Sequence, residues 1–255
     1  MFCMSTQNDV DLWIITGAAS GIGAAMTHAV TQGGSKVLAL DINPDLGQQL
    51  AAETGAIFHQ CDISDPEAWA KFAGYLDDNK DVLGTPTKIH LNAGVQIAPP
   101  NAPMSDYQFQ AMTLEGYRRM MGVNVDGVVF GLQTLLPRLQ SGAAIVVTAS
   151  LAGITPYSVD PLYAMSKHAV VGLVRSLGPT LAKRGITIHA FCPGGIDTAL
   201  IPHQQREKDA IFMRPDHITT EIIGLMDESE TGKSWAKVSE HKPRFIVRAP
   251  GDKTS

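Results

Sequence analysis

Val10-Asp11-Leu12-Trp13-Ile14-Ile15-Thr16 runs into Gly17-Ala18-Ala19-Ser20-Gly21-Ile22-Gly23 and then into Ala24-Ala25-Met26-Thr27-His28-Ala29-Val30. The first seven residues read as a short buried strand and the last seven continue as helix formers. Between them, three glycines let the backbone turn tightly. Strand, glycine-rich turn and helix in this order can do one of two things. They can bring a helix N-terminus, with free N–H groups and partial positive charge, against a pyrophosphate. Or they can simply make a tight turn and a close helix–strand contact.

The same alternation continues outward from this unit. Apolar runs at Lys36–Leu40, Ala56–Gln60, Thr87–Leu91, Ala143–Thr148 and Ile186–Cys192 read as further strands, with Lys233–Ser239 as a last one. Helical stretches separate them, which implies a parallel doubly wound sheet with ligands at the carboxyl ends of the strands. Asp41 follows the second strand, 18 residues beyond Gly23. An acid there suits the ribose hydroxyls of a dinucleotide, and Asn43-Pro44 makes it a turn residue as well. Asp62 follows the third strand, facing an adenine or serving its turn. Ser64-Asp65-Pro66 reads as the cap and first turn of the next helix. Asn92-Ala93-Gly94 ends the fourth strand, with residues small enough for the backbone to pass beneath a ligand.

Tyr107 to Leu139 is mostly helical in period, broken early. Asn124 stands inside it against helix propensity, and Gly122, Gly127 and Gly131 would let it pack closely. Ser150 follows the fifth strand. Tyr163 and Lys167 open a helix expected to reach about Lys183, interrupted and bent at Gly178-Pro179. Tyrosine and lysine four apart share one helix face. An ammonium beside a phenol favours the phenolate, so the pair is a candidate for proton transfer to or from an alcohol. Ala199 to Met213 mixes apolar and polar residues at a strand end, as a substrate lid or a docked surface helix would.

The 255 residues are 44% hydrophobic and 18% charged, an ordinary globular composition. The net charge of −5 argues against nucleic acid as a partner. No apolar run is long enough to span a bilayer, and Met1 to Val10 has no secretory character. Cys3, Cys61 and Cys192 are scattered, and neither they nor the eight histidines have metal-ligand spacing. No metal is expected, and a cytoplasmic location is.

Taken together these positions resemble the short-chain dehydrogenase/reductase family, its ordinary single-domain branch, over about Val10 to Val238. The residues that carry the resemblance are Thr16 to Gly23 (Thr-Gly-x-x-x-Gly-x-Gly), Asn92 to Gly94 (Asn-Ala-Gly), Asn124, Ser150, Tyr163, Lys167, Pro193-Gly194 and Thr198. Tyr163 lies 13 residues after Ser150, the family's usual gap. The resemblance implies a Rossmann-type α/β fold: a doubly wound parallel sheet of about seven strands with helices on both faces. It implies one domain over 1–255, with a core at 9–240, a candidate lid at 199–213 and a polar tail at 241–255. It also implies hydride transfer between a nicotinamide cofactor and a secondary alcohol or ketone. Tyr163 would be the acid/base and Lys167 would lower its pKa and bind the nicotinamide ribose. Ser150 would hydrogen-bond the substrate oxygen, and Asn124 would hold a water linking Lys167 to solvent.

The cofactor would lie along Thr16, Gly17, Ser20, Gly21, Ile22, Gly23, Asp41, Ile42, Cys61, Asp62, Ile63, Asn92, Ala93, Gly94, Tyr163, Lys167, Pro193, Gly194, Ile196 and Thr198. The substrate would meet Gln96, Leu151, Gly195, Leu200, His203 and Arg206, and its body would be mostly apolar. Asp41, with uncharged Ala18, Ala19, Ser20, Ile42 and Asn43 about it, favours NAD over NADP. A homodimer or homotetramer is implied too.

The chain departs from the family at Leu91, where a second asparagine is common. It departs again at Ser239-Glu240-His241-Lys242-Pro243, where a Gly-Gly turn is usual. A non-catalytic dinucleotide sensor or scaffold of the same fold is the rival reading. Intact Asn124, Ser150, Tyr163 and Lys167 argue against it, because a pure binder needs none of them. A lyase or epimerase with a large C-terminal substrate domain has no room in the 57 residues after Thr198.

Overall fold

Apolar side chains on consecutive residues fit a strand covered on both faces, and β1 (Leu12–Thr16) is buried at every position. The computed structural model describes residues 10–206 and 211–249. The expectations for Met1–Asp9 with Cys3, for 207–210 of the lid and for 250–255 of the tail lie outside the described residues.

After β1 come α1 (Gly21–Gln32), β2 (Lys36–Asp41), α2 (Pro44–Thr54), β3 (Ile57–Gln60), α3 (Pro66–Asp78), the single turn α4 (Lys80–Leu83) and β4 (Lys88–Leu91). Then follow α5 (Leu114–Met121), a π-helical turn at Gly122–Asp126, α6 (Gly127–Leu135), β5 (Ala144–Thr148), α7 (Pro161–Ala182) and β6 (Thr187–Pro193). The chain ends with α8 (His203–Arg206), α9 (Pro215–Leu225), β7 (Lys233–Lys237) and β8 (Phe245–Ile246). The strands form one sheet in the order β3-β2-β1-β4-β5-β6-β7-β8. All neighbours are parallel except β8, which runs antiparallel to β7.

The sheet divides the core in two. Trp69, Phe72, Leu132, Val170 and Val174 from α3, α6 and α7 cover one face. Met26, Val30, Leu50, Ile218 and Ile222 from α1, α2 and α9 cover the other. The strand order reverses between β1 and β4, so their carboxyl ends diverge and open a crevice. Local chemistry sets the helix starts. Asn43 caps α2 and Asp65 caps α3, each followed by a proline at the first helical position.

Three elements differ from expectation. The sheet has eight strands, and the eighth comes from the segment read as a polar tail. Phe245-Ile246 is too short to show a period, and its pairing with Ala236 and Trp235 of β7 is a tertiary property. Helix α7 is not interrupted at Gly178-Pro179 but continues through it. The Arg175 carbonyl, which Pro179 cannot bond, lies beside the Gly232 turn, and Gly178 lets that turn pass close. The long helix expected from Tyr107 starts only at Leu114 and contains a π turn around Asn124. Gly127 does permit close packing: a Cβ there would lie 2.6 Å from Ile63 Cδ1.

Candidate active site

The crevice at the carboxyl ends of β1 to β6 is a cleft of about 670 Å³. At one end lies the glycine turn. Gly17 and Gly21 have φ of 62° and 53°, in the left-handed region that favours glycine. A Cβ on Gly23 would lie 2.0 Å from the Gly17 carbonyl oxygen, so this turn tolerates no side chain there. Ser20 stands at the N-cap of α1 in extended conformation, yet its side chain caps nothing and the first turn holds no acid. The first N–H groups of α1 are therefore open toward the cleft, unlike those of α2, α3 and α7, which side chains cap.

Asp41 lines the cleft and also organises it. Its carboxylate accepts from Ala19 N–H at 2.9 Å and Asn43 N–H at 3.0 Å. The acid thus joins the glycine turn to the β2 end, and the turn role seen in the sequence coexists with a place at the cleft wall. Thr16 is buried, and its hydroxyl accepts from the Asn92 and Ala93 N–H groups, locking the ends of β1 and β4 together. Ile22, Ile42, Cys61, Asp62 and Ile63 complete this half of the wall, with Asn92, Ala93 and Gly94 on its floor. Burial pushes the Cys61 thiol up to about 12, which leaves it protonated and inert.

Tyr163 and Lys167 project from α7 into the middle of the cleft. Both are buried, at 7% and 3% exposure. Lys167 Nζ donates to the Thr148 carbonyl at 2.9 Å and lies 5.6 Å from the centre of the Tyr163 ring. Burial lowers Lys167 to about 8, opposed by the Cys192 thiol. It also raises the Tyr163 phenol above its ordinary value, which a hydrogen bond with Ser150 opposes. Burial thus sets the net direction at Tyr163, and that direction is upward. Ser150 lines the cleft and opens a 3₁₀ turn, its Oγ accepting from Ala152 N–H. A Cβ on Gly153 in that turn would come within 2.7 Å of the Lys167 carbonyl oxygen.

Asn124 is fully buried and does not line the cleft. Its amide accepts from Val95 N–H at 2.8 Å and donates to the Val95 carbonyl at 2.8 Å and Ser166 Oγ at 3.0 Å. The π turn aims this amide at the strand-end loop, which it clamps to α7. Π turns of this kind recur at functional sites. Gly94 lies inside the clamp: a Cβ there would be 3.2 Å from Lys167 Nζ and 3.4 Å from Asn124 Oδ1.

The far end of the cleft is largely apolar, with Ala98, Pro99, Leu151, Leu200, Ile201 and Phe212 on its walls. Of the residues expected there, Gln96, Leu151, Gly195 and Leu200 line it, and Gln96 Nε2 donates to the Leu200 carbonyl. His203 and Arg206 do not: Arg206 is paired with the Asp197 carboxylate and the Thr198 carbonyl, so its charge is already matched. Pro193, Gly194, Ile196 and Thr198 line the middle, and Thr198 sits against Gly21. Thr16 and Gly23 do not line the cleft: the Thr16 hydroxyl is taken up by the Asn92 and Ala93 N–H groups, and Gly23 packs against the Gly17 carbonyl.

Tyr157, Gln205 and Arg119 join the wall without having been singled out from the sequence. Gln205 Nε2 donates to Tyr157 OH, and Arg119 Nη2 donates to the Gln96 and Ile97 carbonyls. Asp160 was also passed over, although Asp160-Pro161 before a helix carries the same cap signature as Asp65-Pro66. Among the described residues no helix is long and apolar enough to cross a membrane, and no group of three His, Cys, Asp or Glu could hold a metal ion.

Comparison with known proteins bears on this geometry. The family model described as short chain dehydrogenase matches residues 12–209. Short-chain dehydrogenase reductase 5 of Arabidopsis thaliana is 34% identical over 234 residues, covering 86% of this chain and 83% of that protein. Human 15-hydroxyprostaglandin dehydrogenase [NAD(+)] is 28% identical over 232 residues, covering 84% and 80%. Among solved structures, a 3-ketoacyl-(acyl-carrier-protein) reductase from Brucella melitensis complexed with NADH shares the fold, with a TM-score of 0.77. It is 24% identical, with 91% of this chain and 97% of that one covered. With the family model matched across most of its length, and with this fold and cleft, the chain belongs to the short-chain dehydrogenase/reductase family and has a dehydrogenase/reductase role.

Proposed function

We propose that the protein is an NAD-dependent oxidoreductase that interconverts a secondary alcohol and a ketone, with Tyr163 as general acid/base. The observation that carries the reading is the buried pair of Tyr163 and Lys167, set in the cleft beside Ser150 and bounded by an uncapped helix N-terminus. The residues fit a dinucleotide. Open N–H groups of α1 suit a pyrophosphate, the Gly17–Gly23 turn leaves room for one, and Asp41 stands where ribose hydroxyls would be met. When bound, the nicotinamide ring accepts or supplies the hydride.

The chain's own residues do the rest. Tyr163 takes the alcohol proton during oxidation and returns it during reduction. The Ser150 hydroxyl holds the substrate oxygen against the Tyr163 phenol. Lys167, fixed by the Thr148 carbonyl, places a positive charge near the phenol, where it opposes the effect of burial. Asn124 holds the Val95 loop, in which Gly94, lacking a side chain, leaves room for the ammonium. The apolar far wall excludes water and suits a mostly apolar substrate body.

A homodimer or homotetramer is part of the same reading, and sedimentation measures it. The 28% identical human dehydrogenase named for NAD(+) and the neighbour bound to NADH support the cofactor assignment. Incubation with NAD and a panel of secondary alcohols, followed by nicotinamide absorbance, tests it. Steady turnover is expected. Dinucleotide binding with no turnover on any alcohol or ketone of the panel favours the sensor reading instead.

A further inference from the structure

Asp160 takes no part in the chemistry above, yet it is a fully buried carboxylate at the start of the catalytic helix. One oxygen accepts from Tyr163 N–H at 2.8 Å, as the side-chain cap of α7. The other accepts from Ile97 N–H at 2.9 Å, in the loop that forms the substrate wall. The Leu162 N–H also reaches it. Burial raises its carboxyl above the ordinary value, and the three N–H donors oppose that by favouring the ionised form. Among the described residues no cation forms a salt bridge with it. Around it pack Ile97, Tyr107, Leu162 and Tyr163, of one small apolar cluster.

The groups that face it are few. Tyr107 and Tyr157 flank it, and Arg119 acts on Tyr107 while donating to the Gln96 and Ile97 carbonyls. Tyr107 gives its own proton to the Pro99 carbonyl, and Asp106 lies beside it. Tyr163 is faced by Asp160, Tyr157, Ser150 and Lys167. Asp160 is therefore a carboxylate bonded to the backbone of the acid/base residue itself, in a site from which water is largely excluded, and like charges there interact more strongly than in water.

We propose that Asp160 is a positioning residue with two effects: it clamps the turn bearing Tyr163 to the substrate wall at Ile97, and its negative charge holds the proton on Tyr163. This rests on the reading of Tyr163 as acid/base. The clamp fixes the phenol relative to the substrate carbon. The charge acts in the same direction as burial and against Lys167, so it moves the pH at which Tyr163 serves as a base upward. Burial, and Asp160 with Tyr157, raise Tyr163, while Ser150 lowers it.

The test is Asp160→Asn, which keeps a cap acceptor but removes the charge and the second acceptor, beside Asp160→Ser. With an alcohol that the unmodified enzyme turns over, the alkaline rise of oxidation should move to lower pH by roughly one unit, the effect of removing one like charge from a buried site. KM for the alcohol should rise severalfold and KM for NAD should stay unchanged. A uniform loss of rate at every pH, with the profile unmoved, overturns the proposal and leaves Asp160 a plain helix cap.

Phenol titration by NMR of ring-labelled tyrosine, with Tyr163 assigned by Tyr163→Phe, gives the same answer without turnover. The Tyr163 phenol should ionise at lower pH in Asp160→Asn, and an unchanged titration overturns the proposal. Absence of turnover in the unmodified protein would sink the oxidoreductase reading alone. If neither variant folds, the Asp160 carboxyl of the unmodified protein decides by carbon-13 NMR. Ionisation before neutral pH, coupled to a downfield step at the Tyr163 ring, supports the proposal, and a carboxyl still protonated at neutral pH overturns it.

Discussion

Tyr163 concentrates the chemistry into one hydroxyl. Replacing it by Phe keeps the ring, its edge contact with Tyr157 and the backbone bond to Asp160. The expected result is a fall in kcat of at least ~10²-fold, with NAD affinity retained in a fluorescence titration. Near-normal turnover would remove Tyr163 from the mechanism. The direction with pH follows from its environment. Oxidation needs the phenolate, and burial raises the phenol, so oxidation should climb into the alkaline range. Ketone reduction needs the protonated phenol, so it should hold through neutral pH and fall at high pH. At this scale the sequence was informative wherever a residue type violates its local preference. Asn124 in a helix was visible for that reason, and the Tyr163–Lys167 pair because residues four apart share one helix face. Asp160 was missed because a capping acid is ordinary; that its second oxygen reaches Ile97 depends on a partner 63 positions away. The burial that raises Tyr163 was not legible either, because burial cannot be read from a spacing of four.

Two elements carry predictions of their own. Segment 199–206 is tied down from three sides, by Gln96 to the Leu200 carbonyl, by the Pro100 carbonyl to His203 N–H, and by Tyr157 to Gln205. These are a few polar ties rather than core packing, so the segment should open locally. Hydrogen exchange there should be fast in the protein alone and slowed with NAD and substrate together. Equal strong protection in both states would mean a docked structural element. The second element is the C-terminal fold-back. Buried Lys237 pairs with Glu221, Arg244 bridges Glu221 and Glu228, and its guanidinium lies over the Trp235 ring. Burial raises the Glu221 carboxyl, but Lys237 and Arg244 outweigh it and leave it below its ordinary value. The pair thus stabilises the fold above the ordinary carboxylate range and loses that effect as pH falls through the lowered value. Glu221→Ala leaves Lys237 buried without its carboxylate and should cost about 3 kcal/mol at neutral pH, read by urea denaturation. A loss below ~1 kcal/mol, the surface-pair range, would show that water reaches the cluster. The strands were legible because β1 and β5 are apolar throughout, and their parallel order followed from the intervening helices. Strand β8 was not, because two residues pair through tertiary contacts that include Arg175 to the Val247 carbonyl.

At the scale of the whole molecule, the cleft draws on the ends of six strands, so a dinucleotide seated there would brace the sheet from β3 to β6. A ligand that binds only the folded state stabilises it by about 2.7 kcal/mol at one hundred times its Kd. For a chain of this size that is a rise in Tm of roughly 5–10 °C. Cofactor choice should therefore be visible in melting as well as in rate. Asp41 spends one lone pair of each oxygen on Ala19 and Asn43, which anchors the charge at the cleft wall. Another lone pair on each oxygen remains for ribose hydroxyls. A 2′-phosphate would bring further negative charge against it, and its uncharged cleft neighbours Ser20 and Ile42 offer no cation. Lys36 begins β2, at the opposite end of the strand, and donates to the Val82 carbonyl. NAD should accordingly give the larger rise in Tm and the higher kcat/KM, and NADP little of either. Replacing Asp41 by Ser together with Ile42 by Arg removes the repulsion and supplies a planar donor for phosphate, so the preference should narrow or reverse. The same change removes the carboxylate's bond to Ala19 of the glycine turn and its bond to Asn43 at the β2 end. The Tm of the ligand-free variant should therefore fall even as NADP binding improves. Equal Tm shifts and equal kcat/KM for the two cofactors in the unmodified protein would show that the Asp41 charge is met by its backbone donors and does not reach the ribose.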